Sequence, residues 1–94
     1  MSQRIEMTAI IGAKPGKENE LEEELKALEA KTLEEKGCIE FRIFKDRDSN
    51  NKFILWEIFE DSEAMKDHME KDYTLRYFSN NLVLSTDVIK HTKI

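Results

Sequence analysis

The run Phe53-Ile54-Leu55-Trp56-Glu57-Ile58-Phe59 limits what this chain can become more than any other stretch. Side chains alternate between the two faces of a strand, so Phe53, Leu55 and Phe59 point one way and Ile54, Trp56 and Ile58 the other. Both faces therefore want burial. A chain of 94 residues makes one domain, residues 1–94, and buries only about 60–65% of the surface its unfolded form exposes. Its helices can cover one face of a four-stranded sheet but not two. A second copy of the chain is the simplest cover for the other face, because a large bare apolar patch is a solubility hazard. The run predicts a homodimer packed sheet against sheet. The alternative is a twisted strand whose outer side chains are covered at its ends by loops.

The remaining sequence supplies the elements around that strand. Residues 4–13 alternate, with Ile5, Met7, Ala9 and Ile11 on one side, and read as a first strand. Lys14-Pro15-Gly16 turns the chain. Leu21, Leu25, Leu28 and Thr32 then fall at helical spacing to about Glu35, with Gly37 placed to end the helix. Residues 38–46 read as a second strand with Ile39, Phe41 and Ile43 on one face and Glu40 and Arg42 on the other. The polar residues 46–51 make a hairpin loop before the third strand, residues 52–60. Asp61 or Ser62 can cap a short helix running to about Glu70, a further helical piece spans residues 73–78, and residues 82–92 alternate as a fourth strand. The order β-α-β-β-α-β predicts an α+β, ferredoxin-like fold with a four-stranded antiparallel sheet.

Charge narrows the function classes. Fifteen Lys and Arg against twenty Asp and Glu leave a net charge of −5, with the basic residues scattered, so nucleic acid is not an expected partner. No apolar run approaches the roughly 20 residues of a membrane span, and the first residues lack the basic-then-apolar pattern of a secretory signal. Cys38 is alone, which suits a reducing cytoplasm and leaves it a small core residue. Two separated histidines and no clustered acids give no metal-site spacing. His91, beside Lys90 and Lys93, reads as exposed.

Two titratable residues fall where apolar ones would be expected. On a helix over residues 62–71, Lys66, Asp67, Glu70 and Lys71 share the wet side, while Ala64, Met65, His68 and Met69 face the sheet. Glu57 shares its strand face with Phe53, Leu55 and Phe59, and a carboxylate there needs a partner. Spacing alone reads His68 first as a satisfied core histidine, bonded to Glu57 or to a backbone carbonyl. The functional reading places both in a mostly apolar pocket with Tyr73 at its edge, the imidazole moving protons near neutral pH and the carboxylate orienting it or a substrate hydroxyl. Met7, Met65 and Met69 read as core filler, and Trp56 as core, pocket wall or dimer seam.

Three segments resemble the antibiotic biosynthesis monooxygenase (ABM) domain over nearly the whole chain: "AKPGKENELEEEL", "EEKGCIEFRIFKDRD" and "FILWEIFEDSEAMKDHMEKDYTLRYF". The most specific part is Glu57, then Phe59, Ala64 and His68, with the KPG turn and the Gly37-Cys38 pair. The resemblance implies a dimeric α/β barrel with an apolar pocket in each subunit. It also implies oxidation of a quinol-like or polyketide-like aromatic by O₂ without metal or flavin. His68 would then be the base and Glu57 its orienter, with Tyr73, Trp56, Phe59, Met65 and Arg42 against the substrate. Relatives often carry Trp where Phe59 stands and a second His where Tyr73 stands, and a phenol is a poor base at neutral pH. Haem-degrading relatives use an Asn in the first strand, where this chain reads Met7-Thr8-Ala9-Ile10. Two other outcomes are compatible with the fold. One is an isomerase of a small phosphorylated carbonyl compound, for which Arg42 and Arg76 would be the phosphate ligands; the other is a non-catalytic dimeric ligand-binding or stress-response module.

Overall fold

The computed structural model describes residues 3–94. It has three helices and four strands: β1 Ile5–Ala13, α1 Glu18–Thr32, β2 Cys38–Lys45, β3 Lys52–Phe59, α2 Ser62–Met69, α3 Asp72–Ser79 and β4 Val83–Lys90. The sheet order is β2-β3-β1-β4 and every pairing is antiparallel. This is the α+β, ferredoxin-like arrangement that the alternation of strands and helices predicts.

Register decides what stands beside Glu57. Met7 of β1 pairs with it on one side and Phe41 of β2 on the other. The carboxylate therefore starts from the middle of the sheet, with large apolar neighbours to left and right. The helices cover the same face. Leu21, Leu25, Leu28 and Thr32 of α1 are buried there, as are His68 of α2 and Thr74 and Tyr77 of α3. They pack with Ala9, Ile11, Phe41, Phe53, Leu55 and Phe59 into the hydrophobic core. Asp61 caps α2, its carboxylate accepting the Ala64 N–H at 2.8 Å.

Among the described residues, no helix covers the other sheet face. Ile58 is buried there, Ile54 and Trp56 are half-buried, and Phe44 and Ile89 stay exposed. Among the described residues, no helix is long and apolar enough to cross a membrane.

The structure departs from the sequence reading in three places. Helix α1 stops at Thr32, and residues 33–37 continue as turns, with Glu35 N–H bonded to the Thr32 carbonyl and Cys38 N–H to that of Glu35. Gly37 is not the helix-ending residue. It is the point where α2 comes close, and a Cβ there would collide with Ala64 Cβ. Finally, the register of β2 shifts between Cys38 and Glu40, so Cys38 rather than Ile39 stands opposite Phe59, and Ile39 is the exposed extra residue of a bulge.

Candidate active site

Between the sheet and the helices lies a cavity of about 180 Å³. Its floor is Met7, Leu55, Phe41 and Glu57 from the sheet, and its walls include Met65 and His68 of α2 and Thr74 and Tyr77 of α3. Met69, Phe78 and Val88, all exposed, mark its mouth. The lining is overwhelmingly apolar with a few polar atoms, the usual make-up of a small-molecule site.

Glu57 is 7% exposed, and no hydrogen bond reaches its carboxylate from the described residues. The partner that sequence reasoning required is absent. Burial disfavours the charged form, and it alone pushes the Glu57 carboxyl up to about 7. A carboxyl in that condition changes protonation at neutral pH and can take or return a proton.

His68, 4% exposed, is not bonded to Glu57. Its Nδ1 lies 2.9 Å from Oε2 of Glu35, a residue that sequence reasoning did not single out. The Tyr73 hydroxyl donates to the same Glu35 oxygen. With Nδ1–H donated to a carboxylate, Nε2 is the uncommitted nitrogen of the ring. The imidazole is further clamped by two aromatic rings, Phe59 at a centroid distance of 4.9 Å and Phe41 at 5.6 Å. A buried ring fixed on three sides is positioned for work at its fourth.

The other predicted site residues divide. Met65 lines the cavity, while Phe59 lies behind His68 as its stacking partner. Tyr73 is outside the cavity, where its hydroxyl is spent on Glu35; burial, then that hydrogen bond, raises its pKa and keeps it protonated. The tyrosine at the cavity is Tyr77, four residues on, pushed up to about 12 by burial and by Glu57. Trp56 and Arg42 pair with each other across β3 and β2 on the face away from the helices. There Trp56 Nε1 donates to Glu6 Oε2 at 3.0 Å and Arg42 pairs with Glu40. Arg76 points outward to Glu24. Neither arginine lines the cavity, so the phosphate ligands of the isomerase reading stand elsewhere. His91, expected to be exposed, is half-buried, with Nε2 2.8 Å from Thr8 Oγ1 on that outward face. Burial pushes the Cys38 thiol up to about 11, so it is no nucleophile at neutral pH.

Comparison with known proteins agrees with this architecture. The family profile described as antibiotic biosynthesis monooxygenase matches residues 5–79. Over 57 residues the chain is 44% identical to the uncharacterized protein YjcS of Bacillus subtilis (strain 168), a match covering 61% of this chain and 54%, about half, of that protein. Among solved structures, PA3566 from Pseudomonas aeruginosa superposes with a TM-score of 0.94 at 29% identity, over 100% of this chain and 97% of that one. SO0527 from Shewanella oneidensis gives a TM-score of 0.88 at 31% identity, over 97% and 91% of the two chains.

Proposed function

The chain belongs to the antibiotic biosynthesis monooxygenase family, and from that premise we propose that it oxidises an electron-rich aromatic, quinol-like or polyketide-like, with O₂ and without metal or flavin. The observation that carries this reading is the pairing of a free carboxyl and a fixed imidazole in one apolar cavity: Glu57 without a partner and His68 held by Glu35. For a simple hydroquinone the balance is hydroquinone plus O₂ giving hydroxybenzoquinone plus water. The substrate supplies every electron.

Glu57 takes the hydroxyl proton. The resulting phenolate is a strong enough reductant to pass electrons to O₂, and a C–O bond forms at the neighbouring ring carbon. Glu57 returns its proton to the peroxide. The C–H proton of that carbon passes to His68 Nε2 as the O–O bond breaks, which leaves a carbonyl; that proton and the departing hydroxide leave as water. An apolar lining helps by excluding bulk water from the anion and the peroxide. The reading includes a homodimer in which a second copy covers the outward face of the sheet.

Oxygen uptake against a panel of hydroquinones, with a metal chelator present, tests the reaction. His68→Ala and Glu57→Gln should each lower uptake at least 100-fold, the usual scale for loss of a proton-transfer group. Wild-type-like uptake by either variant refutes that residue's role, and no uptake by the wild-type protein across the panel refutes the reading.

A further inference from the structure

One cavity-lining residue carries a polar atom that the proton transfers leave unused. Thr74 is 1% exposed and lines the cavity, and its Oγ1 is buried with no hydrogen-bond partner. A helical threonine ordinarily returns its hydroxyl to a carbonyl one turn earlier; this one does not. Leaving a buried hydroxyl unsatisfied is destabilising, and valine would fill the same space without that cost. Thr also keeps two χ1 rotamers in a helix, so the oxygen can swing toward a guest.

Thr74 and Glu57 belong to different layers. Glu57 rises from β3 in the sheet and Thr74 descends from α3, so they mark two walls of one chamber. The space between them is otherwise lined by groups such as Met7, Phe41, Leu55 and Met65. Its volume of about 180 Å³ is close to that of an apolar cavity of about 150 Å³ that accepts benzene. One ring with small substituents fills that volume.

We infer that the cavity is built for a single-ring arene with oxygen substituents on opposite sides, one hydroxyl meeting Glu57 and the other oxygen accepting from Thr74 Oγ1. The choice of an aromatic guest rests on the proposed function, but the specificity is read from binding alone.

The test is anaerobic calorimetry with hydroquinone, phenol and anthrone as probes, on the wild-type protein and on Thr74→Val. Hydroquinone should bind about tenfold more tightly than phenol, the equivalent of one net hydrogen bond. Thr74→Val should erase that difference by weakening hydroquinone and sparing phenol, Thr74→Ser should restore it, and anthrone should not compete. Equal binding of hydroquinone and phenol by the wild-type protein overturns the inference without any variant, as does an unaltered preference in Thr74→Val or tight binding of anthrone. Binding as expected but no oxygen uptake in air sinks the proposed reaction alone. Uptake with anthrone and none with hydroquinone sinks this inference alone.

Discussion

Glu57 is a carboxyl whose ionisation works against the fold. The unfolded chain releases this proton in the ordinary carboxylate range near 4.5, and the folded protein holds it to about 7. Between those values the native state binds more protons, so stability falls as pH rises through the window. The group's share of that loss is about 3 kcal/mol, fully developed above pH 7. Urea unfolding from pH 5 to pH 8 should show the decline, and Glu57→Gln should flatten it; parallel curves for the two proteins would contradict the account. Glu35 has the hydrogen-bond partners that Glu57 lacks. Its carboxylate satisfies the buried His68 Nδ1–H and the Tyr73 hydroxyl together. Glu35→Ala strands both, at a cost of about 2 kcal/mol or more. Nitrogen NMR should report His68 with its proton on Nδ1 in the wild-type protein and a shift toward Nε2 in the variant. Periodicity brought Glu57, His68 and Met65 to one side of the sheet. Alternation alone also sets Trp56 on the face opposite Glu57, against a place beside the substrate, and Thr74 and Tyr77 are three apart on one helical stripe. Glu35 was not legible, because it sits in turns beyond Thr32 whose path no helical spacing sets.

At the level of the elements, the site depends on how closely α2 approaches the turn before β2. Gly37 makes that approach possible. Gly37→Ala places a methyl into Ala64, pushing α2 and His68 outward, and should cost about 1–3 kcal/mol and reduce oxygen uptake. Gly16 is the control, since it is required for its positive φ of 80° and has open space around it, well away from the cavity. Gly16→Ala should cost about 1 kcal/mol in denaturant unfolding and leave uptake unchanged. If both variants lose activity equally, the α2 contact is not what positions the imidazole. The strands and helices were readable because each has a strict apolar period, and their ends moved by only a few residues. The bulge at Ile39 was not. Alternation on both sides of an inserted residue looks intact until pairing with β3 shows which residue is extra.

For the whole molecule, the shortest dimension is 18 Å, enough for one sheet and one helical layer. The outward face therefore keeps Ile54, Trp56, Phe44 and Ile89 partly or fully accessible in a single chain. The homodimer we propose would bury them. Ile54→Glu and Trp56→Glu should each halve the mass measured by light scattering, or drive aggregation. A dimer of unchanged mass in both variants, or a monomeric wild-type protein, would rule out the sheet-to-sheet seam. The Glu35 carboxylate ties these scales together. A single oxygen, Oε2, fastens the segment after the first helix to both of the later helices. The reactivity we propose would thus be tied to the closure of three separate segments, and warming that merely loosens this rivet would silence the imidazole well before the sheet comes apart.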